Sequence, residues 1–395
     1  MNKVGEIVKL TETKLKYISK NNRGYYGIGA SAVDYDKDKY TYLRITDIND
    51  DGTLNTTALM SVDDEKACEF LLKENDIVFA RTGASTGRNY FYDGEINNMV
   101  FAGFLIKFSL DNEAVNPRFI KYYCLSQNYK NWIASSLTGS TRPNINERQL
   151  SEMPIILPNR EYQDRAVKIL DDITKKIKLN NHTNDNLYEM MKIKFEDWIT
   201  NLNKYEVSSL SKIAKYTNGL TMQKFRPKDN EESLPVIKIK EMNDGITENT
   251  ERCSTNIKDE VIINNGDVLF AWSGTLCMSI WGKGKAGLNQ HIFKVTSDKY
   301  PKWFYYFWTL KHLNRFKMIA AGKATTMGHI KRGELDISEV LIPKNKELQE
   351  MHKIMQPLFN KYINNLIQNE TLTQLRDTLL PKLMNGEIDL DKIKI

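Results

Sequence analysis

Two short segments concentrate side chains suited to gripping a polyanion. Arg81-Thr82-Gly83-Ala84-Ser85-Thr86-Gly87-Arg88 offers two guanidinium groups, three hydroxyls and glycines past which backbone amides can approach closely. Thr138-Gly139-Ser140-Thr141-Arg142-Pro143-Asn144 offers the same mixture. Amides, hydroxyls and guanidinium groups hold phosphate oxygens, and arginine, asparagine or glutamine can make two hydrogen bonds to one base edge. Related loops recur later as Trp272-Ser273-Gly274-Thr275 and Lys323-Ala324-Thr325-Thr326-Met327-Gly328-His329. The first half thus nominates Arg44, Arg81, Thr82, Ser85, Thr86, Arg88, Ser140, Thr141, Arg142 and Asn144 as nucleic-acid contacts. The second nominates Lys238, Lys240, Trp272, Ser273, Thr275, Gln290, His291, Lys323, Thr325, Thr326 and His329. Gly-Ser-Thr loops also serve as plain turns whose hydroxyls cap helices. That alternative stays open for the glycines and Thr82, and His291 is equally readable as structural. For Arg81, Arg142 and Lys323 the polyanion reading is preferred.

Other chemistries lack their residues. No GxxxxGK[ST] phosphate loop occurs, and Gly282-Lys283-Gly284-Lys285 reads as a basic turn. Gly27-Ile28-Gly29 begins like a dinucleotide fingerprint but lacks the third glycine, so it reads as a loop. Asn116-Pro117-Arg118-Phe119 lacks the second proline of an amino-methyltransferase loop and reads as a helix start. No acidic pair with a following lysine marks a nuclease. Cys68, Cys124, Cys253 and Cys277 form no CxxC pair and have no histidine at zinc-ligand spacing. They read as isolated buried thiols in a reducing compartment, with no metal.

The loops are positioned by a chain written twice. Asn75-Asp76-Ile77-Val78-Phe79-Ala80-Arg81-Thr82-Gly83 matches Gly266-Asp267-Val268-Leu269-Phe270-Ala271-Trp272-Ser273-Gly274. Upstream, residues 42–52 match 235–245, both read as a strand running into an Asn-Asp-Gly type turn. Downstream, 103–108 match 289–295 as strands. Pro117 and Pro301 each open an aromatic-striped helix. Met153-Pro154-Ile155-Ile156-Leu157-Pro158 then matches Val340-Leu341-Ile342-Pro343. So many matches in one order indicate duplication.

Each half ends in a long helical stripe. The first carries Ala166, Ile169, Leu170, Ile173 and Ile177, weakens at Asn180-Asn181-His182, and resumes at Leu187, Met190, Met191, Phe195 and Trp198. The second carries Leu348, Met351, Met355, Leu358, Tyr362, Leu366 and Ile367, then Leu372, Leu375, Leu379 and Leu383. These near-heptad stripes suit helices that pack lengthwise, and the seam is expected at Ile169, Ile173, Ile177, Leu187, Met191, Met355, Tyr362, Leu366 and Leu375. Continuous helices over 159–199 and 344–380 would span about 60 Å and 55 Å. Pro357 predicts a bend or restart, and Pro381 a helix end. The stripes can bury each other antiparallel, or each can pack on its own domain.

The 395 residues suit two domains plus extras, and 41% apolar with 27% charged residues fits a folded chain. A net charge of +6 is too small for non-specific coating of nucleic acid but enough for a binder with one basic face. No apolar signal core opens the sequence and no run approaches a membrane span, so the expected location is the cytoplasm. Four regions are expected: a first globular domain at 1–158, a central helix region at 159–200, a second globular domain at 201–343 and a C-terminal helix region at 344–395.

Taken together, the chain resembles the specificity (S) subunit of Type I restriction-modification systems. The resemblance spans nearly the whole chain. It rests on the duplicated architecture and on wording such as Asp76-Ile77-Val78-Phe79-Ala80-Arg81-Thr82-Gly83, Thr138-Gly139-Ser140-Thr141-Arg142-Pro143-Asn144-Ile145 and the tail Leu380-Pro381-Lys382-Leu383-Met384-Asn385-Gly386-Glu387-Ile388. Ala324-Thr325-Thr326-Met327-Gly328-His329-Ile330 departs from it in chemistry. The resemblance implies an α+β fold with two tandem target-recognition domains built on mixed and antiparallel sheets, each followed by a long helix, the helices pairing as an antiparallel coiled coil. It implies that each domain reads one half of a bipartite target in double-stranded DNA. The helices would set the spacing and dock two methyltransferase (M) subunits that use S-adenosylmethionine, with restriction (R) subunits as an optional addition. The chain itself would hold no cofactor and catalyse nothing. A self-contained enzyme and a protein-binding scaffold without DNA affinity are the competing readings.

Overall fold

Ile77-Val78-Phe79-Ala80 is apolar at every position, and so is Val268-Leu269-Phe270-Ala271. A strand with both faces covered reads this way, because successive side chains point to opposite faces. In the computed structural model Ile77 and Phe79 face one core, with Phe108, Phe119 and Tyr129. Val78 and Ala80 face another, with Leu43, Phe101 and Leu105. The second half repeats the division: Val268 and Phe270 join Phe293 and Phe316, while Leu269 and Ala271 join Ile237, Leu288 and Ile292.

The structure describes residues 8–137, 143–322 and 328–392. The chain divides into two compact units, residues 1–174 with 375–395, and residues 175–374. In the first, a four-stranded antiparallel sheet has the order Tyr25–Tyr26, Leu105–Ser109, Asp76–Ala80, Asn89–Tyr92. Against it lies a mixed sheet ordered Ala32–Val33, Met60–Val62, Tyr40–Leu43, Met99–Phe101, whose last pair is parallel. In the second unit the corresponding sheets are ordered Lys215–Asn218, Ile292–Thr296, Val268–Ala271, Cys277–Ile280, and Arg252–Ser254, Ser233–Ile237, Ala286–Leu288, Ile262–Ile263. The pair Ser233–Ile237 and Ala286–Leu288 is again parallel. A two-stranded ribbon brings chain entry and exit together in each unit, Thr11–Lys14 with Pro154–Leu157 and Tyr205–Ser209 with Glu339–Pro343.

Several expectations need correction. The strands read through 42–52 and 235–245 stop early. The first ends at Leu43 and gives way to a 3-10 turn, Ile45–Asp47; the second ends at Ile237 and gives way to the helix Ile239–Asp244. In both, the carboxylate three residues on accepts the backbone amide where the strand ends, Asp47 from Arg44 N at 2.8 Å and Glu241 from Lys238 N at 3.1 Å, and these bonds overrule the period-two pattern.

Pro357 neither ends nor restarts its helix, which runs unbroken over Asn345–Met384 and includes Pro381 as well. Pro357 and Lys353 are exposed, so the carbonyl that the proline leaves unpaired meets water, while Met355 and Phe359 on the inner side are fully buried. The central helix, Arg160–Thr200, is likewise unbroken through Asn180-Asn181-His182.

The thiols are not uniformly buried: Cys124 and Cys253 are, Cys277 is half-buried and Cys68 is exposed. No helix of the described residues is long and apolar enough to cross a membrane.

Of the expected seam residues, Ile173, Leu187, Met191 and Met355 are buried, and Ile169, Ile177, Tyr362 and Leu366 are half-buried. Leu375 is 45% exposed. It lies roughly 200° around the helix from Met355 at 3.6 residues per turn, so it leaves the inner face. Leu380 and Leu383 are buried instead, in the same core as Ala166 and Leu170. Asp171 fastens the central helix to the first unit. It accepts 2.6 and 2.9 Å hydrogen bonds from Arg118 and a 2.7 Å bond from the Tyr122 hydroxyl.

Candidate nucleic-acid interface

Four backbone segments meet at the end of the central strand in each unit. The strand exits through Arg81-Thr82 or Trp272-Ser273 into a turn closed by glycine at positive φ, +69° at Gly83 and +71° at Gly274. Only glycine takes that conformation without steric cost. A tight hairpin comes next, with Leu105 N donating to Ala102 O at 2.8 Å and Ile292 N to Asn289 O at 3.1 Å. Its tip residues, Phe104 and His291, accept from Arg81 N at 3.0 Å and Trp272 N at 3.2 Å.

The third segment crosses in front. Thr82 bridges Asn144, Ser273 bridges His329, and Gly83 and Gly274 donate to Pro143 and Gly328 at 3.1 and 2.8 Å. The fourth passes so close to the hairpin that a Cβ at Gly27 would lie 2.2 Å from the Phe101 carbonyl oxygen, and one at Gly219 2.2 Å from that of Asn289. These glycines are the reason for the Gly27-Ile28-Gly29 wording.

One backbone frame therefore offers four side-chain places twice. The first unit fills them with Tyr26, Arg81, Phe104 and Asn144, the second with Asn218, Trp272, His291 and His329. In the first, the Arg81 guanidinium lies over the Tyr26 ring at 5.1 Å, and its Nε has no hydrogen-bond partner among the described residues. Phe104 is 59% exposed beside it. In the second, Trp272 donates from Nε1 to Asn218 at 2.9 Å, stacks on Phe293, and sits 6.1 Å from the His291 ring and 6.3 Å from that of His329. Thr221 donates to the Gln290 carbonyl oxygen. The Gln290 amide nitrogen lies 3.2 Å from His291 Nε2, and His291 Nδ1 3.1 Å from Ser273 Oγ. An amide N–H can only donate, so Nε2 accepts and Nδ1 donates to the serine.

The remaining candidates divide. Thr86 spends its hydroxyl on the Gly83 carbonyl at 2.7 Å, and Arg88 pairs with the exposed Asp50 at 2.6 Å. Ser85 is half-buried, while Thr275 and Lys240 are exposed. Arg44 and Lys238 stand at the turn starts: Arg44 is engaged by Asp47 at 2.6 Å and by the Ala58 carbonyl, and Lys238 pairs with Glu251 at 2.6 Å. The hydrogen bonds that the Arg44 guanidinium donates to Asp47 strengthen its proton binding. Ser140, Thr141, Arg142, Lys323, Thr325 and Thr326 lie outside the described residues.

Residues 3–189 and 203–374 each match the family model of the Type I restriction modification DNA specificity domain. The chain belongs to this family of Type I restriction-modification specificity subunits, with two specificity domains in tandem. It is 20% identical to the Type I restriction enzyme HindI specificity subunit of Haemophilus influenzae, over 80% of this chain and 87% of that one. It is 24% identical to the MjaIX specificity subunit of Methanocaldococcus jannaschii, over 72% of each. The crystal structure of the Type-I restriction-modification system S subunit from M. genitalium shares the fold, at 14% identity and a TM-score of 0.55, covering 96% of this chain and 97% of that one.

Sequence reasoning missed Tyr26, Phe104 and Asn218. Aligning Gly27 with Gly219 would have found Tyr26 and Asn218, and aligning Leu105 with Ile292 would have placed Phe104 opposite His291. Their own wording carries no signal, because an exposed aromatic at a hairpin tip differs from a core aromatic only in where the fold puts it.

Proposed function

We propose that the chain is the non-catalytic, sequence-reading subunit of a Type I restriction-modification complex. Each loop cluster reads one part of a bipartite target in double-stranded DNA. The observation that carries this is the identical backbone frame with dissimilar chemistry: Tyr26, Arg81, Phe104 and Asn144 against Asn218, Trp272, His291 and His329. A frame kept while its side chains differ is what two readers of different sequences require. Arg81, held over the Tyr26 ring, has the planar guanidinium that suits the two acceptors of a guanine edge, and exposed Asn144 suits adenine. Exposed Lys240, and Thr275 on the Gly274 turn, suit backbone phosphates.

The helices Arg160–Thr200 and Asn345–Met384 act as a ruler, paired as an antiparallel coiled coil. They dock two methyltransferase subunits, which carry the S-adenosylmethionine; the chain itself binds no cofactor. Restriction subunits are an optional addition to the same assembly, and the complex works in the cytoplasm. The recognition domains correspond to residues 1–158 and 201–343, and the spacer regions to 159–200 and 344–395.

Arg81→Ala tests the reading through the methylated motif of a host carrying the variant with its partner subunits. One part of the motif should relax at a single position, with discrimination there falling about 10- to 100-fold, while the other part is unchanged. An active variant with an unaltered motif, or with both parts altered, rejects the assignment. A scaffold without DNA affinity would instead show no DNA retardation even with methyltransferase subunits present.

A further inference from the structure

The place where the apolar stripe weakens is filled by asparagine. Asn180, Asn184 and Asn365 are 2%, 5% and 1% exposed, although each lies on a long helix. Asn365 donates to Asn184 Oδ1 at 2.9 Å, and Asn184 donates to the Tyr362 carbonyl at 3.2 Å. Asn180 donates to Gln368 Oε1 at 2.8 Å and Asn369 Oδ1 at 2.9 Å, and Asn369 donates to Asn181 Oδ1 at 2.6 Å. The partners ascend on one helix as they descend on the other. Leu187 and Met191 resume the apolar core on one helix, and Phe359 and Met355 on the other.

We propose that this buried asparagine cluster is a register lock that determines the spacing specificity of the subunit, an inference that rests on the ruler reading above. A heptad stripe alone is degenerate, because sliding one helix by seven residues again sets apolar side chains against apolar ones. The cluster removes the degeneracy. A slip of seven in one direction sets Asn184 against Leu358 and Asn365 against Ile177. A slip in the other sets Asn184 against Leu372 and Asn365 against Met191. Either slip strands buried amides among hydrocarbon, where an unpaired polar group is heavily penalised. A single buried asparagine is known to specify helix register at a cost in stability. Here one register alone pairs every amide. Seven residues correspond to about 10 Å of sliding, or roughly three base pairs of DNA.

The test replaces the central pair by leucine, Asn184→Leu with Asn365→Leu, in the full chain. Spin labels at exposed Leu179 and Ile354, each changed to cysteine, report the distance between the helices in a background where Cys68 and Cys277 are serine. The native pair should give one distance population. The double-leucine variant should melt at the same or a higher temperature and gain a second population shifted by about 10 Å, above about a tenth of the total. Asn184→Leu alone should melt lower, because it leaves Asn365 unpaired, and the second leucine should restore it. A single unshifted population in the folded double variant overturns the lock. If the double variant does not fold, Asn184→Ser, which keeps a polar group but shortens its reach, should broaden the same distance distribution, and an unchanged distribution overturns the lock. The methylated motif separates the two readings. A second spacer differing by about three base pairs supports lock and ruler together. A shifted distance with one unchanged spacer supports the lock and overturns the ruler.

Discussion

Lys294 Nζ lies 3.0 Å from the Asp267 carboxylate, and the repeat places Lys107 3.1 Å from Asp76 in the same way. Both pairs join neighbouring central strands behind the loop clusters, and both carboxylates also accept a backbone amide, from Lys73 or Asn264. Removing one partner leaves a buried charge unpaired. Lys107→Met should therefore destabilise the chain by about 3 kcal/mol, measured by urea unfolding. A loss below about 1 kcal/mol would mean that Ser109 and the Lys73 amide suffice to hold Asp76.

Gly219→Ala drives a methyl group to 2.2 Å from the carbonyl oxygens of Leu288 and Asn289. The backbones must separate, at about 3 kcal/mol, and the Asn218–Trp272 contact with them. Gly29→Ala, with nothing within 4 Å, is the control and should stay within about 0.5 kcal/mol of the parent. Equal melting temperatures for the two variants would count against a close-approach role for Gly219.

Lengthening the helices should lengthen the spacer. Seven residues inserted after Ile177 together with seven after Thr371 extend both stripes on one side of the asparagine cluster and preserve its register. The methylated motif should gain about three base pairs between otherwise unchanged parts. An active variant with its original spacer would show that the helices do not measure the DNA.

His312 donates from Nε2 to the Glu339 carbonyl at 2.8 Å, and burial lowers the affinity of its imidazole for a second proton. A group with a depressed folded pKa contributes stability that is complete above its unfolded value, near 6.5, and lost as pH falls through the folded one. The melting temperature should thus fall from pH 7 to pH 5 by more in the native chain than in His312→Gln, which keeps a donor but cannot titrate. Calorimetry at the two pH values decides; equal falls would place the acid sensitivity elsewhere.

Sequence alone determined the duplication, because hydrophobic runs, turn glycines and helix-opening prolines are local signals that survive when other side chains change. The repeated apolar runs that form the strands Asp76–Ala80 and Val268–Ala271, and the two long helices, were legible for that reason. So was the candidate loop after each strand. What local pattern could not decide was which polar groups the fold consumes. Arg44 and Lys238 carry the right charge for DNA but stand at turn starts, where Asp47 and Glu241, three residues on, accept their backbone amides. Pro357 looked like a break, and only burial of Met355 and Phe359 opposite an exposed proline explains its tolerance. The Asn180 region looked like a weak point because hydropathy scores an amide as polar wherever it lies. Tertiary structure gave those amides partners nearly two hundred residues away, and a buried polar group with a partner is a specific contact rather than a defect.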